Sequence, residues 1–79
     1  MEPDRLQQHL QAGLPDCQVI VEGDGYHYQV TVIGQRFAGL SAVKKQQEVY
    51  REMNDLISSG TVHAVSIKTF TPEEWQAQA

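Results

Sequence analysis

The sequence has only one cysteine, Cys17, and no long apolar run. A single cysteine excludes an internal disulfide framework and any internal CxxC metal site, and it favours a reducing compartment. No apolar stretch approaches the roughly 18 residues needed to cross a membrane. The N-terminus also lacks the basic-then-apolar pattern of a secretion signal. We therefore expect a cytoplasmic protein with no membrane partner.

Positive charge is scarce as well. Six Lys and Arg stand against ten Asp and Glu, for a net charge of −4. A chain with this balance has no global basic field that would gather nucleic acid. Its 79 residues are 41% hydrophobic, which is ordinary for a globular chain and too apolar for a disordered one. We expect one small domain over residues 1–79.

The first half of the chain predicts a helix followed by a β-hairpin. Leu6, Leu10 and Leu14 recur every four residues, which indicates an amphipathic helix from Pro3 to about Gln11, with Gly13 as its C-cap. The segments that follow have strand composition and flank a short glycine-rich loop; they are Cys17–Glu22, Gly23–Gly25 and Tyr28–Ile33. The alternation places Tyr28, Val30 and Val32 on one face and indicates a sheet covered on one side only.

The second half predicts a long helix, a strand and a short final helix. The long helix begins after Ser41, a suitable N-cap, and ends at Ser58, with Gly60 in the left-handed conformation. Its apolar positions are Val43, Val49, Tyr50, Met53, Leu56 and Ile57. Val62–Ile67 alternates with a period of two, as strands do, and the residues from Thr71 form a capping box. Phe37 and Leu40 are expected to anchor the preceding connector to the core.

The resulting order is α-β-β-α-β-α, a two-layer α+β domain with a three-stranded mixed sheet. A strand reached through a helical crossover pairs in parallel with an earlier strand, here the second. His27 begins the second strand and His63 the third, so both histidines are expected at one edge of the sheet. We expect His63 to be held by its strand and His27 to follow a mobile loop, Gly23–Gly25.

Two histidines at one edge leave three interpretations open, namely metal ligands, a proton-transfer pair or ordinary surface residues. Two ligands do not close a tetrahedral site, so a metal role requires a partner that supplies the others. Histidine nitrogen can replace thiolate at an iron–sulfur cluster. No nucleophile or orienting carboxylate is clearly placed beside either ring, so we expect the protein not to be an enzyme. Cys17 is interpreted as a small packed residue.

The basic residues offer a second candidate site, for nucleic acid. Its members are Arg36, Lys44, Lys45 and Lys68. Lys44 and Lys45 stand near a helix start and could meet phosphate, but the same helix carries Glu48, Glu52 and Asp55, which dilute the field. A solvated helix face is the favoured interpretation of this segment.

Three segments of the sequence resemble the BolA family. They are RFAGLSAVKKQQEVY (Arg36 to Tyr50), VHAVSIKTFTPEEW (Val62 to Trp75) and VEGDGYHYQV (Val21 to Val30), and the last resembles the IbaG-like branch of that family. The resemblance implies a fold akin to the type II KH domain, although the GxxG loop by which many KH domains clamp nucleic acid is missing. It implies that His63 is the characteristic metal ligand and that His27, in the loop position, is the second.

The resemblance also implies a partner and a cofactor. The partner is a monothiol glutaredoxin with a CGFS motif, and the cofactor is a [2Fe-2S] cluster shared with that glutaredoxin and with glutathione. The expected function is non-enzymatic, an accessory protein in iron–sulfur cluster assembly or trafficking that takes part in a stress response. Alone, the protein is expected to be a monomer or a weak homodimer. The alternative is a DNA-binding transcriptional regulator acting through the Arg36–Tyr50 segment.

Overall fold

The computed structural model describes residues 1–78 and shows a three-stranded sheet with helices packed on one face. The elements are α1 (Pro3–Gly13), β1 (Gln18–Gly23), β2 (His27–Ile33), a 3-10 turn (Gln35–Phe37), α2 (Ala42–Tyr50), α3 (Asn54–Ser58), β3 (Ala64–Phe70) and α4 (Pro72–Ala77). The strand order is β1-β2-β3, with β1 antiparallel and β3 parallel to β2. The predicted α+β class with a three-stranded mixed sheet is confirmed. Ala79, the last residue of the predicted single domain 1–79, lies outside the described residues.

One apolar core lies between the sheet and the helices. The residues that alternate onto the inner face of β2 are buried as predicted; they are Tyr28, Val30 and Val32. Helix α1 contributes Leu6 and Leu10, its C-cap residue Leu14 adds a third leucine, and the connector contributes Phe37, all without solvent exposure. The opposite face of the sheet carries mostly exposed residues, apart from the end where Phe70 contacts Trp75 of α4, with ring centroids 5.3 Å apart.

Two glutamines of α1 complete the hydrogen bonding of the edge strand β1. The amide of Val21 donates to Gln7 Oε1 at 3.0 Å, and the amide of Val19 donates to Gln11 Oε1 at 3.2 Å. Unpaired amides on an edge strand invite pairing with other chains, and these side chains occupy them. Helix α1 is thereby fixed along the sheet edge.

The sequence predicts one long helix from Ser41 to Ser58. This prediction is wrong, because the segment forms two helices, α2 and α3. After Tyr50 the backbone bonds tighten, with the Glu52 amide bonded to Val49 O at 3.1 Å and the Met53 amide to Tyr50 O at 2.9 Å. Met53 then leaves helical geometry, with φ −115° and ψ −6°. This three-residue pattern is that of a 3-10 turn. Val49, before the turn, and Met53, at its end, both lie in the core, where neither is exposed.

The apolar stripe predicted for this helix is also wrong at two of its positions, both within α2. Val43 is 65% exposed and Tyr50 is 36% exposed, although the period of the sequence placed both on the buried face. Helix α2 reaches the core only near its C-terminal end, through Val49. A stripe drawn along one straight helix therefore assigns too many of its residues to the core.

The caps predicted at Ser41, Gly60 and Thr71 are confirmed, whereas the cap predicted at Gly13 is wrong because Leu14 caps α1. The Ser41 hydroxyl accepts the amide of Lys44 at 3.2 Å. Thr71 forms a capping box with Glu74 at the start of α4. Gly60 follows the last turn of α3 with φ +77°, the left-handed conformation that glycine adopts without steric cost.

Several predicted boundaries differ by one to three residues. Gly13 is the last residue of α1, and Leu14 is its C-cap. The Leu14 amide donates to Leu10 O at 2.8 Å. Strand β3 begins at Ala64, two residues later than predicted, and continues to Phe70. The β1 strand is shifted by one residue toward the hairpin loop. Boundaries shift in this way because helix and strand ends depend on tertiary contacts as well as on local composition.

Gly34 and Cys17 are in close contact where β2 leaves the sheet, which gives a stability prediction. A Cβ on Gly34 would overlap the Sγ atom of the buried Cys17. Gly34→Ala is therefore expected to destabilise the domain by roughly 1–3 kcal/mol through overpacking. The backbone φ of −166° is open to any residue, so the cost comes from the overlap alone. Chemical denaturation measures it.

The matched control removes the sulfur instead of the glycine. In a Cys17→Ala background, Gly34→Ala should cost clearly less than it does in the wild-type chain, because the overlapping atom is gone. Equal costs in the two backgrounds would contradict the packing explanation. The comparison is a double-mutant cycle on two residues in contact.

Candidate functional site

The parallel pairing of β2 and β3 brings His27 and His63 to the same end of the sheet, where both strands begin. His27 is the first residue of β2 and pairs with Ala64, the first residue of β3. His63 comes directly before Ala64, so it precedes the strand rather than beginning it as predicted. Both side chains are exposed. We call this surface the histidine rim, formed by His27, His63 and the intervening Tyr26.

The loop before His27 is ordered by Asp24, contrary to the expected mobility. Asp24 Oδ1 accepts two backbone amides, from Tyr26 at 2.9 Å and from His27 at 2.8 Å. Both donors lower the pKa of the Asp24 carboxyl, with the His27 amide contributing most. The carboxylate therefore stays charged in mild acid, and its contribution to the folded state is lost only as pH falls through the lowered pKa. His27 is thus held before any partner binds.

Tyr28 binds the same loop through its hydroxyl group. Its ring is buried in the core, and its hydroxyl donates to Gly25 O at 3.0 Å and also contacts the backbone oxygen of Met1. The loop is therefore fixed at both ends by side chains that a sequence pattern does not reveal. The sequence predicted only a turn at Gly23–Gly25. Glycine content indicates which backbone conformations a loop can adopt, but it does not indicate which side chains bind that loop.

His63 is anchored through its neighbours in the chain. Val62 is only 1% exposed, and its amide donates to Leu56 O at 3.1 Å. Ala64, on the other side, begins the paired strand. The loop that precedes His63 turns at Gly60, and a Cβ there would stand 3.9 Å from Cε1 of His63. The backbone of His63 is thus fixed on both sides while its ring stays accessible.

The donors of the histidine rim fit one half of a shared cluster site. Imidazole nitrogen is a known ligand of [2Fe-2S] iron, alongside thiolates. Within residues 1–78 no group of three or more His, Cys, Asp or Glu side chains is arranged to hold a metal ion. The rim alone therefore offers two imidazole rings, fewer ligands than a closed metal site has. The assignment of His63 and His27 as ligands stays a prediction.

Cys17 is placed away from the rim. It precedes β1 at the open end of the hairpin, whereas His27 lies at the loop end. The register of the hairpin puts seven residue steps between Cys17 and His27, and at about 3.3–3.4 Å each these steps span roughly 23 Å. Burial raises the pKa of the Cys17 thiol, and the neighbouring Asp16 carboxylate adds to that effect. A protonated and distant thiol has the properties of a packing residue.

Tyr26 is the rim residue that sequence reasoning missed. Its ring centroid lies 5.0 Å from that of His27 and 5.4 Å from that of His63. The pairing of β2 with β3 contains the information needed to find it. Extending the parallel register by one residue before His27 and Ala64 places Tyr26 opposite His63. Using that signal requires the exact register, which composition alone does not supply.

The four basic residues proposed for nucleic acid lie on three different elements, the 3-10 turn, α2 and β3, and one of them is held in an ion pair. Arg36 makes a two-point ion pair with Asp16, at 2.8 Å and 2.7 Å, and lies 3.7 Å from a Glu48 oxygen. Lys68 is on β3, where it lines a groove beside Trp75 of α4. Lys44 and Lys45 are neighbours near the start of α2. Their role in binding nucleic acid stays a prediction.

No helix within residues 1–78 has the length and apolar character needed to span a membrane.

The class of protein follows from this fold and its comparisons. A family model described as BolA-like protein matches residues 4–74. A solved structure of a BolA homologue from Coxiella burnetii superposes with a TM-score of 0.85 at 32% identity, covering 96% of this chain and 97% of that one. The protein therefore has the BolA fold, and the chain belongs to the BolA family.

Two relatives refine the position within the family. The acid stress protein IbaG of Escherichia coli K12 is 47% identical over 75 residues, which are 95% of this chain and 89% of the relative. The DNA-binding transcriptional regulator BolA of Vibrio cholerae is 36% identical over 61 residues, or 77% of this chain and 57% of the relative. The chain is thus similar to IbaG over nearly its whole length. These relatives are named as stress or regulatory proteins and not as enzymes.

Proposed function

We propose that this protein is a non-enzymatic accessory factor in iron–sulfur cluster assembly or trafficking, which shares a [2Fe-2S] cluster with a monothiol glutaredoxin. The observation that carries the proposal is the histidine rim, where two exposed imidazoles share one sheet edge and lack further ligands of their own. A partner with thiolates complements this donor set, because thiolate is the usual ligand of iron–sulfur clusters. In the complex, the glutaredoxin cysteine and a glutathione thiolate supply the other ligands.

The chain's own residues would contribute binding and orientation. His27 and His63 would hold the side of the cluster that faces this protein, and nitrogen ligation raises the potential of such a cluster relative to an all-thiolate one. Asp24 fixes the backbone of His27 through its two amide contacts, and Val62 fixes the backbone of His63. Ligands held in place before binding lose less entropy when the complex forms.

Mixing the purified protein with a cluster-loaded monothiol glutaredoxin tests the proposal. We expect a heterodimer whose visible absorption and circular dichroism differ from those of the glutaredoxin alone, because two ligands have changed from sulfur to nitrogen. The isolated protein, put through anaerobic reconstitution, should retain little cluster. A stoichiometric [2Fe-2S] cluster on the isolated protein, or unchanged spectra on mixing, would contradict a site completed by a partner.

DNA binding is the second candidate, and it is supported by one feature of the structure. Helices α2 and α3 are separated by a short turn, and Lys44 is exposed near the start of α2. The relative from Vibrio cholerae is named a DNA-binding regulator. Against this candidate, the net charge is −4 and Arg36 is occupied by Asp16, whereas phosphate contacts normally dominate affinity for DNA.

A lysine double variant separates the two functions. If DNA is the main partner, Lys44→Ala with Lys45→Ala should weaken binding to all sequences and reduce the salt dependence by about one unit of slope for each lost phosphate contact. Cluster sharing should persist, because neither lysine belongs to the rim. Arg5→Ala, which removes an exposed basic residue of α1 outside both candidate sites, is the matched control. Loss of cluster sharing without any change in DNA binding would reverse the assignment of these lysines.

A further inference from the structure

Tyr26 is an exposed aromatic residue that touches both histidines of the rim. Its ring is stacked on that of His63, with an interplanar angle of 23° and a centroid separation of 5.4 Å. It also meets His27 edge-to-face, at 73° and 5.0 Å. The Tyr26 side chain is 59% exposed and takes no part in the apolar core. Core packing therefore does not explain where its ring lies.

The backbone, rather than burial, places Tyr26 between the two histidines. Its amide donates to Asp24 Oδ1 at 2.9 Å, within the same turn that fixes His27. The parallel pairing of His27 with Ala64 then sets Tyr26 across from His63. Tyr28, two residues further on, makes the contrast clear, since its ring is buried and its hydroxyl is bonded to the loop.

The contact geometry suits a residue that orients ligands. The lone pairs of an imidazole that bind metal lie in the plane of its ring, at the edge. A ring stacked on the face of His63 restricts rotation of the imidazole and leaves that edge open. The edge-to-face contact limits His27 in the same way. Aromatic pairs of this kind contribute favourably beyond the area that they bury.

We propose that Tyr26 is a positioning residue, which sets the relative orientation of His27 and His63 so that both donate nitrogen to one shared cluster. The proposal rests on the proposed function, since it deepens the role of the same rim. Without the tyrosine ring, both imidazoles still exist but rotate independently. Each rotation that has to be stopped on binding costs conformational entropy. The hydroxyl group of Tyr26 plays no part in this role.

The first experiment uses the isolated protein without a cluster. Histidine ring protons are followed by NMR in the wild type, in Tyr26→Phe and in Tyr26→Ala. We expect the Tyr26→Phe variant to keep the ring-current shifts of both histidines, because its ring stacks as tyrosine does. The Tyr26→Ala variant should lose them while its core resonances stay unchanged. Unmoved His27 and His63 resonances in Tyr26→Ala would overturn the proposal.

The second experiment uses the heterodimer with cluster-loaded monothiol glutaredoxin. Tyr26→Ala should lose the cluster roughly 3- to 10-fold faster than the wild type, the range expected for losing aromatic contacts of this strength. Its electron paramagnetic resonance spectrum should broaden, because the ligand geometry becomes heterogeneous. Tyr26→Phe should restore both the cluster lifetime and the spectrum to wild-type values. A contact that depended on the hydroxyl group would not be rescued in this way.

The outcomes separate this inference from the proposed function. If the wild type shows histidine ligation and Tyr26→Ala matches it in lifetime and spectrum, the positioning role is overturned and the proposed function stands. If Tyr26→Ala weakens binding to cluster-free and cluster-loaded glutaredoxin by the same factor, with unchanged spectra, Tyr26 is only an interface contact and the inference is likewise overturned. If the wild type shows no histidine ligation, both fall together.

Discussion

Replacing His63 by Ala is expected to remove one of the two imidazole ligands from the cluster shared with glutaredoxin and so to change the spectra of that cluster. The ring of His63 is exposed at the rim, and its backbone is fixed between the buried Val62 and the paired Ala64. No other His, Cys, Asp or Glu group within residues 1–78 forms a ready metal site that would replace it. Circular dichroism and electron paramagnetic resonance of the heterodimer measure the loss. Wild-type spectra from His63→Ala would remove this residue from the ligand set.

The third histidine of the chain is the matched control for this change. His9 lies on α1, where its Nε2 is 2.9 Å from the backbone oxygen of Glu52, and it takes no part in the rim. His9→Ala should leave the spectra of the cluster shared with glutaredoxin unchanged. Both variants should fold, because exposed side chains usually change stability by no more than about 0.5 kcal/mol. Thermal unfolding checks that condition.

His27→Ala should have a larger effect than the sequence alone led us to expect. A mobile loop would let water or another group take the place of this ligand. The structure instead holds the backbone of His27 through Asp24 and the pairing with Ala64. Because the position is fixed, substitution by another loop residue is harder, and His27→Ala should perturb the spectra nearly as strongly as His63→Ala. Unchanged spectra would show that His27 is not a ligand.

Replacing Phe37 by Ala is expected to produce the largest loss of stability. Phe37 is unexposed and is the largest of the fully buried side chains. Removing a buried phenylalanine side chain typically costs about 3–5 kcal/mol, from the lost transfer free energy together with the cavity. A domain of this length has a total stability of only about 4–12 kcal/mol. Phe37→Ala should therefore leave the protein largely unfolded or close to it.

Chemical denaturation compares Phe37→Ala with a control at a position that the sequence predicted to be buried. Val43 belongs to the predicted apolar stripe, yet it is 65% exposed, so Val43→Ala should cost less than about 0.5 kcal/mol. A cost below about 1 kcal/mol for Phe37→Ala would contradict the burial of its ring. A large cost for Val43→Ala would contradict the exposure of its side chain.

The parts of the fold that the sequence predicted correctly depend on local periodicity. Alternation placed Val30 on the inner face of β2, and spacing placed Leu6 and Leu10 in the core. These patterns succeed because side-chain direction follows directly from strand and helix geometry. The parallel pairing was also predictable, since a helical crossover between two strands of one sheet has a strongly preferred hand. That pairing was enough to predict that His27 and His63 share an edge.

The parts that were missed depend on tertiary contacts. The turn between α2 and α3 interrupts the predicted long helix, and no glycine or proline marks it in the sequence. The order of the loop before His27 comes from an aspartate oxygen that accepts two amides. The place of Tyr26 depends on a register that is exact to one residue. Each of these features requires atomic distances that periodicity does not contain.

The most direct test of the shared site is pulsed electron paramagnetic resonance of the reduced heterodimer, with this protein labelled with ¹⁵N at histidine only. Hyperfine coupling to ¹⁵N reports nitrogen bonded to iron and is silent for thiolate ligands. We predict couplings from two imidazoles in the wild type, unchanged couplings in His9→Ala, and the loss of one coupling in each of His27→Ala and His63→Ala. A heterodimer cluster without any ¹⁵N coupling would contradict ligation by the histidine rim.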